Sequence, residues 1–117
     1  MNLQDSKTSY VRKRLVIEAL GEYASGREEE IGLIVLSSAA IQELQTEEGR
    51  RQLRRWWKQT YRTRKWISRF ETNRNTGVNY SPKLWFKADR KVTSLLAGLE
   101  SALIDMAVER EANKSKS

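Results

Sequence analysis

The last third of the chain carries the tightest constraint on its fold. Between Pro82 and about Arg110, apolar residues recur as Leu84, Trp85, Ala88, Val92, Leu95, Leu96, Leu99, Ala102, Leu103 and Met106. At 100° per residue they fall within a stripe about 140° wide, while charged and small polar residues fill the remaining arc. A helix with such a stripe is stable only when other apolar faces cover it, so the upstream residues have to supply those faces. Ser81-Pro82 marks its start: Ser is a favoured N-cap, and Pro at the first helical position lacks only an N–H that would have no partner there. Residues 111–117, which are polar apart from Ala112, read as a frayed tail on a single helical domain of residues 1–110.

The upstream segments also carry a helical period. A first helix is expected to begin at Asp5 or Ser6 as N-cap and run to about Ala24, with Gly26 as a left-handed stop. Leu15, Val16, Ala19, Leu20, Tyr23 and Ala24 form its apolar face. Arg12, Lys13 and Arg14 lie near its start, where cations oppose the helix dipole. Residues 27–45 read as a second helix that opens on Glu28, Glu29 and Glu30. Its run Ile31-Gly32-Leu33-Ile34-Val35-Leu36 would also suit a buried strand, but the spacing continues helically through Ala39, Ala40, Ile41 and Leu44, and no partner strand is visible. A third helix is expected from Thr46 to Phe70 or Glu71, followed by a polar loop over residues 72–80. The expected fold is all-α: a small helical bundle of about four helices with a long C-terminal helix. A length of 117 residues fits one such domain.

The residue types exclude several chemistries. With neither Cys nor His, the chain lacks disulfides, thiolate chemistry, the commonest general base and the commonest metal ligand. Glu28, Glu29 and Glu30 are consecutive, so their carboxylates fan around a helix and do not converge on an ion. Asp105 and Glu109 are spaced i,i+4 with Asp89 far off, and they read as solubilising charges. A non-enzymatic protein without catalytic residues, metal or cofactor is expected. The longest apolar run, Leu33 to Leu36, is far short of the roughly 20 residues that span a bilayer, and residues 1–8 are polar. The expectation is a cytoplasmic protein without a membrane partner.

Charge points to a binding role. The net +7 is uneven: residues 1–49 carry −4, residues 50–74 carry +9 and residues 75–117 carry +2. Within residues 50–74 there are ten basic side chains and a single acid, Glu71. On one continuous helix, Arg50, Arg51, Arg54, Arg55, Lys58, Arg62, Lys65 and Arg69 span an arc of about 140°. Leu53, Trp56, Ile67 and Phe70 lie opposite, Tyr61 projects from the cationic arc, and Trp57 and Trp66 border it. Eight of the ten aromatics lie between Trp56 and Phe86, beside this charge. A row of Arg and Lys binds a phosphate backbone by releasing its condensed counterions, and aromatic rings stack on unpaired bases. The expected nucleic-acid site is those eight cations with Tyr61 as the stacking ring, extended by Arg74, Lys83, Lys87 and Arg90 if the two helices pack as neighbours. Trp56, Trp66 and Phe70 read as core. The aromatic interleaving favours RNA or a single strand over duplex DNA, and no helix-turn-helix spacing is visible.

Other readings stay open. The same face would suit a small adaptor or inhibitor that binds an acidic surface of a partner protein. It would be an ordinary solvated face if Glu28, Glu29, Glu30, Glu43, Glu47 and Glu48 neutralised it internally. Phe86 and Ile104 share an azimuth off the main stripe of the last helix, which reads as a wide core face or as a homo-oligomer contact. The nucleic-acid reading needs the basic segment to be one straight rod that is not closed against the chain's own glutamates.

Overall fold

In a computed structural model, the backbone is described over residues 3–78 and 81–116, and side chains over residues 12–78 and 81–114. The protein is all-α: α1 (Leu3–Leu20), a 3-10 turn (Gly21–Ala24), α2 (Glu28–Ile31), α3 (Ser38–Glu43), α4 (Glu47–Gln59), α5 (Tyr61–Thr76) and α6 (Pro82–Lys116). No helix among the described residues is long and apolar enough to cross a membrane.

The 35-residue α6 is the spine, and its length of about 52 Å at 1.5 Å per residue sets the long axis of a body measuring 57 × 33 × 26 Å. Helix α5 packs antiparallel along its first half, so that Arg74 meets Trp85 and Trp66 meets Lys91. Helix α4 reaches its middle, where Trp56 Nε1 donates to the Leu95 carbonyl at 3.0 Å. Helix α3 covers the second half: the Ser37 N–H donates to the Glu100 carboxylate at 3.2 and 3.3 Å, and Arg110 pairs with Glu43 at 2.6 Å. Helix α1 packs on α3 and α4. Val16, Leu20, Ile31, Leu36, Ile41, Leu44, Leu53, Trp56, Trp57, Leu99 and Leu103 form the shared core.

Local signals hold at several boundaries. Pro82 is the first residue of α6; Gly26 takes φ +70° but follows the 3-10 turn and does not stop α1. Thr46 caps α4, its Oγ1 accepting from the Gly49 N–H at 3.0 Å. Gly49 follows from close packing, because a Cβ there would lie 1.9 Å from the Glu43 carbonyl oxygen.

Other boundaries shift. Helix α1 is already formed at Leu3, so Asp5 and Ser6 lie inside it and do not cap it; it ends at Leu20, where Gly21 takes φ +59°. Arg12 is mid-helix, away from the dipole's positive end, and ties α1 to the start of α3 by donating to the Leu36 carbonyl at 3.4 Å and to Ser38 Oγ at 2.8 Å. Residues 27–45 do not form one helix. Gly32 caps the four-residue α2, and Ser37 starts α3 by accepting from the Ala40 N–H at 3.3 Å. The chain between them is irregular, with Leu36 buried and Val35 71% exposed. Capping by Ser37 therefore overrides the apolar period across that stretch. Residues 72–76 belong to α5, not to a loop, and Gly77 ends it at φ +78°; Asn79 and Tyr80 lie outside the described residues. Helix α6 continues to Lys116, past the end expected near Arg110.

The largest departure is at Thr60, where the expected single rod divides into α4 and α5. Thr60 sits at φ −105° and ψ 9°, and both its N–H and its hydroxyl bond the Trp56 carbonyl, at 3.0 and 2.7 Å. The helical ladder resumes at Arg64 N–H to Thr60 O. The Trp57 carbonyl between them accepts from the Arg64 guanidinium instead. Arg64 is 2% exposed: it donates to Thr60 Oγ1 at 3.0 Å and to Glu30 Oε1 at 2.9 Å, and lies 3.4 Å over the Trp57 ring. Arg27 holds the other oxygen of Glu30 at 3.3 Å. Burial pulls the Arg64 pKa down to about 10, which leaves the guanidinium charged at neutral pH.

Removing one partner of a buried ion pair strands the other. Arg64→Met is therefore expected to lower the unfolding free energy by roughly 3–5 kcal/mol, and the double variant Arg64→Met with Glu30→Leu to recover part of that loss in urea denaturation.

Candidate nucleic-acid interface

The break at Thr60 removes the single straight rod that the nucleic-acid reading of the sequence requires, and it divides the cationic arc into two halves with different surroundings. On α4, the cations largely serve the fold. Arg50 Nε donates to the carbonyl of Leu44, the C-cap of α3, at 3.0 Å. Arg54 Nε donates to the Ala19 carbonyl in the last turn of α1 at 2.9 Å. Each places a guanidinium at the negative end of a helix dipole and satisfies a terminal carbonyl. Arg51 pairs with Glu47 at 3.2 Å, and Lys58 Nζ lies 5.2 Å from the Tyr23 ring centre. Arg55 is exposed and, among the described residues, has no ion pair or hydrogen bond.

The side of α5 that faces α2 is electrostatically mixed. Lys65 and Arg69 line an open cleft together with Glu28, Glu29 and Arg27, where Ser68 Oγ bonds Glu29 at 3.3 Å. Tyr61, the ring expected to stack on bases, is half-buried between Arg27, 4.6 Å from its centre, and Lys65 at 5.6 Å. A hydrogen bond with Arg27 first, and one with Lys65 second, hold its phenol below the usual tyrosine range. Arg27 covers the ring and Lys65 Nζ sits 3.4 Å from the hydroxyl, so Tyr61 is not a free stacking platform in this arrangement.

Of the six glutamates that could have neutralised the arc, three pair elsewhere, and Glu28 and Glu29 face Lys65 and Arg69 across the cleft without an ion pair among the described residues. Glu30 is held by Arg64 and Arg27, and Arg110 pairs with Glu43 at 2.6 Å and with Glu48 at 3.5 Å. The Glu43 contact is the first cause that raises the Arg110 pKa, and a backbone hydrogen bond, then Arg110, lowers that of Glu48. Among the described residues, Glu47 alone of the six makes an ion pair with a cation of the arc.

The other side of α5, toward α6, is different. Arg62 and Trp66 lie within about 40° of each other on the α5 surface, with Arg69 at the edge shared with the α2 cleft, and Lys83, Phe86, Lys87 and Arg90 share about 100° of α6. Lys91 Nζ lies 5.1 Å from the Trp66 ring centre and links the two helices; Arg90 lies 5.0 Å from Phe86. Arg74 bridges to Trp85 at 5.4 Å while paired with Glu71 at 2.7 Å. Among the described residues Arg62, Arg69, Lys83 and Lys87 make no hydrogen bond or ion pair. Residues 61–92 hold nine basic and two acidic side chains, a net +7 that equals the charge of the whole chain. The remaining residues therefore balance to zero.

Two aromatics stand out on this surface: Trp66 is 39% and Phe86 55% exposed. Trp66 was expected in the core, as Trp56 and Phe70 are; its position at the border of the cationic arc was the signal that it lies outside. Trp57, placed at that border too, is buried under Arg64. Ile104 packs partly against the core, whereas Phe86 stays out of it; 18 residues separate them along α6, about 27 Å, so they do not form one patch.

Among the described residues no three acidic side chains gather to hold a metal ion. The chain matches no known protein-family profile, and no curated protein sequence and no solved structure resembles it significantly.

The two classes of cation separate in a stability measurement. Arg54→Met is expected to cost about 1.5–3 kcal/mol in urea denaturation, the worth of a hydrogen bond from a charged donor. Arg62→Met, which breaks no contact, should stay within about 0.5 kcal/mol of the parent protein.

Proposed function

We propose that the protein is a non-enzymatic nucleic-acid-binding protein whose contact surface is the α5–α6 hairpin with the adjoining end of α4. The observation that carries this reading is the concentration of the whole net charge in residues 61–92, where Arg62, Lys83 and Lys87 make no ion pair among the described residues. Like charges on neighbouring turns repel by a few tenths of a kcal/mol per pair, which an outside polyanion relieves. A phosphate backbone does so with a further gain from released counterions. Arg55, Arg62, Arg69, Lys83, Lys87, Arg90 and Lys91 are the proposed phosphate contacts. Arg50, Arg51 and Arg54 add to the field while holding the fold. In this reading the protein acts in the cytoplasm.

An acidic protein surface is the competing partner, and one experiment separates the two. Fluorescence anisotropy with unrelated RNA and DNA oligonucleotides, titrated with salt, is expected to give a log–log slope of about −3 to −5 if roughly five to seven phosphates are engaged. The triple variant Arg62→Glu, Arg69→Glu, Lys87→Glu should abolish binding and leave the helical circular dichroism unchanged. Absence of oligonucleotide binding at low salt, or binding that survives the triple variant, would overturn the proposal.

A further inference from the structure

We infer that the ligand of this surface is single-stranded, with an unpaired base stacked on Trp66 and phosphates held by the cations on either side. This rests on the nucleic-acid reading above and adds the class of ligand to it. The fold has space for buried indoles: Trp56 and Trp57, both about one turn before the break, are in the core. Trp66 is treated differently. Its ring is backed by Phe70, whose centre lies 6.1 Å away with the planes inclined by 17°, and Phe70 itself is buried. The indole is thus fixed by a packed neighbour and still reaches solvent. Arg62 lies one turn before it and Arg69 one turn after it on α5, and Lys91 approaches from α6.

That arrangement has the two parts that single-strand recognition needs: rails of cations for the backbone and an aromatic platform between them for a base. Lys91 Nζ sits on the ring at 5.1 Å, but on a flexible stem that can move to a phosphate as a base arrives. Tyr61 lies under Arg27, whose guanidinium is held in place by Glu30 at 3.3 Å. Phe86, exposed beside Arg90 on α6, offers a second ring for a neighbouring base. A duplex would gain from the cations alone, because its bases are stacked inside and cannot reach either ring. Nor does α5 present an isolated ridge that could enter a major groove, since α2 and α6 pack along it.

The test compares a single-stranded oligonucleotide, a duplex of equal length, and the single strand carrying abasic sites, all at one salt concentration. The parent protein should bind the single strand tighter than the duplex, and the abasic strand should lose that advantage. Trp66→Ala is expected to weaken single-strand binding about 5- to 100-fold and to leave duplex binding unchanged, while Trp66→Tyr, which keeps a stacking ring and guards against a folding defect, restores most of it. Phe86→Ala should act in the same direction with a smaller effect. If single strand, duplex and abasic strand bind alike, and Trp66→Ala affects none of them, the inference fails while the charge-based reading stands. If no nucleic acid binds, or if polyglutamate binds as tightly as the single strand, both fail.

Discussion

The fold depends on the burial of one guanidinium. Arg64 is removed from water almost completely, and a charge in that position has to be matched by an anion and by acceptors for its remaining donors. Glu30 supplies the anion, Thr60 Oγ1 and the Trp57 carbonyl supply the acceptors, and the Trp57 ring supplies a face. Meeting all of these at once fixes three things together. The four-residue α2, too short to be stable alone, is anchored through Glu30. The carbonyl released where α4 stops is satisfied. The pair Trp56 and Trp57 is pressed into the core, Trp57 beneath the guanidinium and Trp56 hydrogen-bonded to α6.

That joint also decides which cations the fold consumes. Because the helix stops at Thr60, α4 lies against α1 and α3, where Arg50 and Arg54 reach the terminal carbonyls of those helices. Helix α5 lies between α2 and α6. Its α2 side meets acids, and its α6 side meets more cations. A face that is uniform on a helical wheel thus becomes three surfaces with different partners.

What was legible in the sequence divides along the same line. The stripe of α6, the Thr46 cap and the Pro82 start depend on residues within a few positions of one another, and local chemistry determines them. The excess of basic residues could likewise be counted. The break at Thr60 could not be read, because no Pro or Gly marks it; its cause is a contact between Arg64 and Glu30, 34 residues apart. Arg64 fell outside the cationic arc on the wheel, and that was the sole local sign of a different role. The site shifted for a related reason. Tyr61 projects into the arc as well as any side chain does, but Arg27, which comes from another part of the chain, covers it. Over Trp66 lies Lys91, on a flexible stem from α6. Whether an aromatic is free to stack depends on tertiary neighbours that spacing along one helix does not reveal.

The electrostatics of the hairpin argue further for an anion outside the protein. Neither α5 nor α6 has an acid in its first turn; α5 opens on Tyr61-Arg62 and α6 on Pro82-Lys83. Cations there add to the positive end of the helix dipole and do not compensate it. Helices α2 and α4 open in the opposite way, on Glu28, Glu29 and Glu30 and on Glu47 and Glu48. The chain therefore uses the favourable arrangement where stability alone is served and departs from it in the hairpin. An unfavourable local field that recurs on two neighbouring helices, with no acid set against its exposed cations, makes sense physically if bound phosphates complete it.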